Sequence, residues 1–270
     1  MKKYLLLILL FCSFLSFSQQ EEVTLVSWNI RDFGKTKNSE ELDQIAEIVS
    51  EADIVAIQEV VAGYGGAQAV AKLTNILNRK GSKWDYVISN PTNSPKYVTE
   101  RYAFIWKTAH IKIKNRGYLL NKLDSAVDRE PFLLTFYLNR KPFKLLNFHS
   151  RPHYKNPQQE IKAITHFIKE YIRGNVIFAG DFNVNAQDDV YNPLRINGFS
   201  SALINQKTTL KRECAGVDYL NYAIDNIFYS KTIKGIETGV IDFVRVCDQL
   251  ENARKLSDHL PVYLKFSLID

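Results

Sequence analysis

The sequence has few cysteines, three in 270 residues, and it has no long apolar run. Its leading apolar stretch, residues 4–17, has 14 residues, whereas a helix needs about 20 to cross a bilayer. No Pro-, Gly- or Ser-rich linker, low-complexity tract or repeat interrupts residues 22–270. These absences argue against stable membrane insertion and against a repeat array, and they predict a single domain.

The first residues nevertheless have the pattern of an export signal. Lys2 and Lys3 precede the apolar stretch, and Ser16 and Ser18 supply the small residues that a cleavage site requires. We predict a signal peptide over residues 1–18, a mature domain over residues 19–270, and a secreted or periplasmic location. Cys12 follows Phe11, whereas a lipoprotein cysteine follows a small residue.

Two cysteines, Cys214 and Cys247, belong to the mature chain. An oxidising compartment would allow them to pair, and the bond would stabilise the fold by about 3–4 kcal/mol. Two buried free thiols are the alternative.

The net charge is modestly positive. The chain has 35 Lys and Arg against 29 Asp and Glu, a formal charge of +6, and removing Lys2 and Lys3 lowers it to +4. Several carboxylates are candidates for one metal site, so the remaining surface is more basic than the sum. That surface suits a polyanionic partner.

Apolar runs of strand length recur along the chain, and most are rich in β-branched or aromatic residues. They predict strands at residues 23–28, 54–58, 102–106, 132–138, 143–148, 176–179, 223–229 and 260–266.

Three amphipathic helices separate some of these strands. The first follows Asn38, with Glu41 at capping-box spacing. The third opens with Asn156 as N-cap and Pro157 at its first position, and it stops at Gly174. The apolar faces are Leu42, Ile45, Ile48 and Val49; Val70, Leu73 and Leu77; and Ile161, Ile164, Ile168 and Ile172. This pattern predicts packed sheets with helices outside.

Polar residues cluster beside six of the apolar runs. A lone Asp in such a place is more often a turn residue, but six polar groups in one chain indicate a site presented by strand ends. The segments are Trp28-Asn29-Ile30, Gln58-Glu59-Val60, Asn147-Phe148-His149-Ser150, Gly180-Asp181-Phe182-Asn183, Ile224-Asp225-Asn226 and Ser257-Asp258-His259-Leu260-Pro261.

These side chains permit a specific chemistry. His149 and His259 can move protons near neutral pH, and each can be oriented by a carboxylate. Oxygen donors suited to Mg²⁺, Mn²⁺ or Ca²⁺ rather than zinc come from Asn29, Glu59, Asp181, Asn183 and Asp258. Hydrolysis of a phosphodiester needs a metal on the phosphate, a base for water and an acid for the leaving alkoxide.

Eight motifs follow one another from Val23 to the C-terminus: Trp-Asn-Ile, Gln-Glu-Val, Glu-Arg-Tyr, Arg-Glu-Pro, Phe-His-Ser, Gly-Asp-Phe-Asn, Ile-Asp-Asn-Ile and Ser-Asp-His-Leu-Pro-Val. Their order resembles the endonuclease/exonuclease/phosphatase superfamily, and within it the deoxyribonuclease I branch. The resemblance implies a four-layer α/β/β/α sandwich of two mainly antiparallel sheets, with the site at one end. It also implies a monomeric enzyme that hydrolyses DNA, or also RNA, with Mg²⁺ or Mn²⁺, and with Ca²⁺ as a further cation.

Carried over position by position, the resemblance gives each residue a role. Glu59 becomes the principal metal ligand, and around the metal and phosphate lie Asn29, Asp181, Asn183 and Asp258. His149 and His259 become the acid–base pair, with Glu100 and Asp225 as their partners. Arg129 and Asn183 would contact the substrate phosphate. Glu100 and the Arg-Glu-Pro motif favour the deoxyribonuclease branch over lipid-hydrolysing and monophosphatase relatives.

The sequence also departs from the pancreatic-type enzymes. Ala186 and Tyr222 stand in the neighbourhoods of their disulfide, so a bond between Cys214 and Cys247 would be a different one. Their calcium sites cannot be traced. Val98 stands where an aromatic residue that contacts DNA is expected, although Tyr97 is adjacent.

Two other functions are alternatives on this fold or this site. A lipid phosphodiesterase or phosphatase on the same fold would need an exposed apolar loop, and none is obvious in the sequence. A non-catalytic binding or toxin-like subunit would lack a catalytic group, and none of the expected groups is missing.

Other residues have ordinary explanations. We assign no role to His110 or His166, and we expect His153 at the rim of the site and residues 63–66 in a flexible turn near the substrate groove. A basic run alternates at strand spacing, which is typical of a solvated sheet face or, less often, of a nucleic-acid contact. It comprises Lys107, Lys112, Lys114 and Arg116.

Overall fold

The structure is a computed structural model that describes residues 21–95 and 97–269. The predicted signal peptide and its cleavage site at Ser18 lie outside these residues. The described part contains the α-helices α1 (Ser39–Val49), α2 (Gly66–Asn78), α3 (Pro157–Tyr171), α4 (Asn192–Ile196) and α5 (Leu250–Leu256). Within the described ranges, no helix combines the length and the apolar character that crossing a membrane requires.

The strands, in chain order, are β1 (Val23–Phe33), β2 (Ile54–Val61), β3 (Trp84–Ile88), β4 (Glu100–Lys107), β5 (Ile111–Ile113), β6 (Tyr118–Leu119), β7 (Phe132–Leu138), β8 (Lys141–His149), β9 (Val176–Asp181), β10 (Ser200–Ser201), β11 (Leu210–Ala215), β12 (Asp218–Leu220), β13 (Asp225–Tyr229), β14 (Ile233–Val240) and β15 (Val262–Leu268).

Most of these strands form two sheets. The first sheet has the order β14-β15-β1-β2-β4-β3, and the second has the order β10-β13-β9-β8-β7-β5, with β6 also beside β7. Only the β1–β2 and β8–β9 pairs are parallel, so both described sheets are mainly antiparallel. Strands β11 and β12 form a separate hairpin.

The two sheets pack face to face because their strands alternate in side-chain direction. In β7, for example, Leu134 and Phe136 enter the core between the sheets, whereas Leu133 enters the core on the outer face. Helices α1 and α2 cover the outer face of the first sheet, and α3 and α4 cover that of the second. The predicted four-layer α/β/β/α sandwich is therefore confirmed.

Two predicted helix starts have different outcomes. Asn38 accepts a hydrogen bond from the Glu41 amide at 2.9 Å, and the Glu41 carboxylate accepts one from the Asn38 amide at 3.0 Å, which is the predicted capping box. Asn156 precedes Pro157 as predicted, but its side chain makes no capping bond. Its φ of 57° places it in the left-handed region, so Asn156 occupies the predicted N-cap position without capping the helix through its side chain.

The cysteines join the hairpin to a neighbouring segment. Cys214 in β11 forms a disulfide with Cys247, which lies just before α5. Helix α5 leads into the loop that carries Asp258 and His259. The bond therefore fixes the hairpin against a segment that leads into the candidate site.

Candidate active site

The polar motifs meet at one end of the sandwich. In the first sheet, Asn29 lies opposite Gln58 just before the register of β1 and β2 shifts, and in the second sheet β8 and β9 end with His149 opposite Asp181. Asp225 starts β13 rather than ending a strand. Because β13 runs antiparallel to β9, this places it opposite Asp181.

Asn29 and Glu59 form the centre of this cluster from the first sheet. The Asn29 amide nitrogen donates to Glu59 Oε1 at 3.0 Å and to Asp181 Oδ2 at 3.1 Å. The Asp32 backbone N–H donates to Glu59 Oε2 at 3.0 Å. Glu59 has φ 60° and Asp32 has φ 52°, a conformation that costs on the order of 1–3 kcal/mol for such residues and clusters at functional sites.

The same cluster fits a divalent cation. Carboxylates accept hydrogen bonds, so the Asn29 amide group must face them with its nitrogen. Its Oδ1 atom is then left buried without a hydrogen-bond partner, although buried acceptors are normally satisfied. A neutral oxygen beside the Glu59 carboxylate is the donor chemistry that Mg²⁺, Mn²⁺ and Ca²⁺ prefer. Asn29 and Glu59 are the residues that would hold the metal.

His149 and Glu100 form the first of two histidine–carboxylate pairs. His149 Nδ1 lies 3.0 and 3.1 Å from the two Glu100 oxygens, and both side chains are about 9% exposed. Burial is the largest single influence and lowers the pKa of His149, but the charge and hydrogen bond of Glu100 together with the charge of Asp181 outweigh it, so the pKa is raised overall. Arg129 Nε lies 3.3 Å from Glu100 and moderates this rise.

His259 and Asp225 form the second pair. His259 Nδ1 lies 2.9 Å from Asp225 Oδ2, and the Trp28 indole N–H donates to the His259 backbone oxygen at 2.8 Å. Burial lowers the pKa of His259, but Asp225 and Asp181 outweigh it and raise the pKa to about 10. The imidazole is therefore cationic at neutral pH.

Asp181 lies between the two pairs. Its Oδ2 atom is 3.6 Å from His149 Nε2 and 3.7 Å from His259 Nε2, so both imidazoles turn their outer nitrogen toward one place. Burial and the charge of Asp225 raise the pKa of Asp181 despite the two histidines. Each pair also joins the two sheets, because Glu100 is in the first and His149 in the second, while Asp225 is in the second and His259 precedes β15 of the first.

Asp181, Asp225 and His259 also bring three ligand atoms within 4.8 Å of one another. A cationic imidazole bonded through Nδ1 to a carboxylate is a poor metal ligand, because ligation needs the neutral ring. These three residues therefore fit a hydrogen-bonded triad better than a metal centre, and the Asn29–Glu59 pair remains the better donor set.

The structure places two other predicted residues, Asn183 and Arg129, at or beside the cluster. Asn183, with φ 51°, donates its backbone N–H to Asp181 Oδ1 at 3.0 Å. The buried Arg129 guanidinium bonds Val98 and Ser150 backbone oxygens and braces Glu100, so its contact with phosphate stays a prediction.

Asp258 lies differently from the other predicted ligands. Its carboxylate is 3.8 Å from Arg31 and 3.7 Å from Arg254. No described contact joins it to Asn29 or Glu59, so its role as a metal ligand also stays a prediction.

Sequence reasoning missed Thr208. Its hydroxyl donates to Asp225 Oδ2 at 2.6 Å, and the residue is fully buried. The neighbouring Thr209 pairs with His259, so this segment touches both members of the second pair. Thr208 lies in a polar stretch without an apolar run, and no sequence signal marks it.

We call the two histidine–carboxylate pairs, Asp181 and the Asn29–Glu59 pair the catalytic cluster, and two depressions adjoin it. One, of about 390 Å³, is lined by Glu59, Glu100, Arg129 and His149 together with the exposed Tyr97. The other, of about 540 Å³, is lined by Asn183, His153 and the exposed Tyr222. Two separate depressions therefore border the cluster, one through Glu59 and His149 and the other beside Asn183.

Comparison with known proteins agrees with this architecture. Among solved structures, an endonuclease/exonuclease/phosphatase from Bacteroides vulgatus has 20% identity and a TM-score of 0.66, covering 92% of this chain and 100% of that chain. A mannosyl-6-phosphatase from Bacteroides thetaiotaomicron has 17% identity and a TM-score of 0.67, covering 91% and 100%. A humanized D. rerio TDP2 has 16% identity and a TM-score of 0.60, covering 91% and 99%.

At these identities the likeness shows the fold alone. No curated protein matches the sequence. The model of the Endonuclease/Exonuclease/phosphatase family matches residues 26–259, which span most of the chain and include every predicted site residue. The chain therefore belongs to the endonuclease/exonuclease/phosphatase family, whose members are divalent-metal-dependent hydrolases of phosphoesters.

Proposed function

We propose that this chain is a secreted phosphodiesterase that cuts DNA. The observation that carries the proposal is that two separate depressions adjoin the catalytic cluster. A polynucleotide continues on either side of the phosphate that is cut, and each depression can accept the nucleotides on one side. A phosphomonoester extends from its phosphate on one side only.

The cluster would favour a bound phosphate once a divalent cation offsets its carboxylates. The Nε2 atoms of His149 and His259 converge on the Asp181 carboxylate, and His259 is cationic. Asn29 and Glu59 would hold a divalent cation beside them. When bound, this cation stabilises the negative charge that develops on the phosphate oxygens.

The two imidazoles then divide the proton transfers. Hydrolysis needs a base that accepts a proton from water and an acid that gives one to the leaving alkoxide. Nδ1 of each ring is held by a carboxylate, so the proton enters or leaves at Nε2. Glu100 and Asp225 orient the rings and stabilise their cationic forms.

Two features support export of the protein. The N-terminal residues have the pattern of a signal peptide. The Cys214–Cys247 disulfide is typical of proteins that fold in an oxidising compartment. Fractionation of the producing cells tests export, and N-terminal sequencing tests the predicted cleavage near Ser18.

Nicking of supercoiled plasmid by residues 19–270 tests the activity. The assay is run with Mg²⁺, with Mn²⁺ and with EDTA, and with the Glu59→Gln and His149→Ala variants. We expect metal-dependent nicking that falls by about 10²–10⁴-fold in each variant.

Matched controls use the same residue types outside the site. Glu47 pairs with Lys80 on the surface, and His166 is exposed on α3, so Glu47→Gln and His166→Ala should nick like the unaltered protein. If plasmid stays intact in every metal condition while a sugar phosphate or a phospholipid is hydrolysed, DNA is not the substrate and the hydrolysed compound takes its place in the proposal.

A further inference from the structure

Positive charge is concentrated in one part of the chain. Residues 107–173 contain fourteen Lys and Arg but five Asp and Glu, whereas the whole chain has a net charge of +6. The rest of the chain is therefore net negative. The strands of this region, β5, β6, β7 and β8, contain no Asp or Glu.

These strands form one edge of the second sheet, and their alternation brings basic and aromatic side chains to its outer face. Leu134 and Phe136 of β7 point inward to the core, so Thr135 and Tyr137 point outward. Lys112 lies opposite Tyr137, and Lys144 lies opposite Thr135. The Lys114 ammonium lies 4.4 Å from the centre of the Tyr137 ring.

A groove of about 590 Å³ adjoins this face where α3 ends. Tyr118 and Tyr171 line the groove and are 61% and 66% exposed. The Lys122 ammonium lies 5.9 Å from the centre of the Tyr171 ring. We call the surface formed by Lys112, Lys114, Tyr118, Lys122 and Tyr171 the basic face.

The cations of the basic face are not neutralised by the protein. Over residues 21–95 and 97–269, the ion pairs within 4.0 Å do not include Lys112, Lys114 or Lys122. Elsewhere on the surface, Lys207 and Lys211 share Asp218. Uncompensated cations beside exposed tyrosine rings are the combination that binds a phosphate backbone and stacks on bases.

The basic face is separate from the catalytic cluster. Through β7, Tyr118 lies level with Leu146 of β8, three residues before His149, and Lys112 lies level with Pro142, seven residues before it. At about 3.3 Å per residue, these two positions lie about 10 and 23 Å from His149. A strand can therefore bind along the basic face without contact with the catalytic groups.

We propose that the basic face is a second binding surface for single-stranded nucleic acid, which retains the substrate while the catalytic cluster cuts elsewhere. The proposal rests on the proposed DNA-cutting function. Single strands are the form that fits, because unpaired bases can stack on Tyr118 and Tyr171, whereas a duplex hides its base faces.

Binding can be tested apart from cleavage. The probe is a fluorescent oligothymidylate of about 30 nucleotides, longer than one such surface covers, and anisotropy is measured in EDTA at several salt concentrations. The Lys112→Ala/Lys114→Ala/Lys122→Ala variant should bind at least about 10-fold more weakly, with a salt slope shallower by about 2. Tyr118→Ala/Tyr171→Ala should weaken binding without changing that slope.

A matched variant removes the same charge elsewhere. Lys72, Lys231 and Lys234 are exposed and lie outside residues 107–173, so replacing all three by Ala should leave affinity within about twofold of the unaltered protein, because they touch no bound strand. Hydrolysis of bis(p-nitrophenyl) phosphate, which is too small to reach the basic face, should keep its kcat and KM in every variant.

The outcomes separate this proposal from the proposed function. Equal binding by the basic-face variant and its matched control, with plasmid still cut, overturns the second surface and leaves the nuclease. If the basic-face variant loses binding to anionic phospholipid vesicles but binds oligonucleotide like its matched control, the face belongs to a membrane contact and the proposal is overturned. If the unaltered protein neither binds oligonucleotide nor cuts DNA, both proposals fail together.

Discussion

The two histidine–carboxylate pairs have nearly the same geometry but different surroundings. Their Nδ1 to oxygen distances are 3.0 and 2.9 Å, and their Nε2 atoms lie 3.6 and 3.7 Å from Asp181. Behind Glu100 lies the Arg129 cation, whereas behind Asp225 lies the neutral Thr208 hydroxyl.

This third group explains the difference between the imidazoles. Arg129 offsets part of the Glu100 charge and so limits the rise in the pKa of His149. Thr208 orients Asp225 without cancelling its charge, and the pKa of His259 rises to about 10. Both imidazoles therefore favour the charged form, and a cation behind the carboxylate opposes that preference in the first pair only.

The largest expected effect comes from removing either histidine. His149→Ala and His259→Ala should each lower kcat for plasmid by about 10²–10⁴-fold, because each removes a proton-transfer group. The double variant should be less than about tenfold slower than the worse single variant, because the two groups serve one reaction. Single-turnover rates measure this, and fully multiplicative losses would show that the pairs act independently.

The next largest effect distinguishes the two pairs by replacing their carboxylates. Asp225→Asn should lower kcat more than Glu100→Gln, because no cation offsets the charge of Asp225. Glu100→Gln should cost more stability, about 3 kcal/mol, because it leaves the buried Arg129 unpaired.

Urea unfolding and initial rates on both variants test this separation. The two variants change charge equally and act as controls for one another. The same ranking in both measurements would contradict the role given to Arg129.

The smallest expected effect concerns Thr208, whose neutral hydroxyl donates to Asp225. Thr208→Val keeps the shape but removes the bond to Asp225, so kcat should fall by about tenfold and stability by about 1 kcal/mol. Thr208→Ser restores a hydroxyl and should restore the rate. An equal loss of rate in both variants would mean that packing, rather than the hydrogen bond, is what matters at this position.

Much of the fold was predictable because local pattern and tertiary role coincide. The β7 strand has the predicted bounds, residues 132–138, and its alternation assigns its two faces. The motifs that end β1, β2, β8 and β9 meet because parallel neighbours end at the same edge.

Other features depend on contacts that the sequence does not encode locally. Strand β14 is a sheet edge with a mostly exposed face and two glycines, Gly235 and Gly239, so it has no apolar run. Thr208 acquires its role only when Asp225, 17 residues later, is placed beside it. The bulge between Ile57 and Val60, which turns Glu59 toward the site, arises from pairing with β4.

The distribution of each pair over both sheets has a consequence for folding. Neither sheet alone contains a histidine together with its carboxylate. A chain with native secondary structure but undocked sheets should therefore be inactive. Recovery of activity after dilution from denaturant should follow the docking of the sheets, which makes turnover a kinetic reporter of that late step.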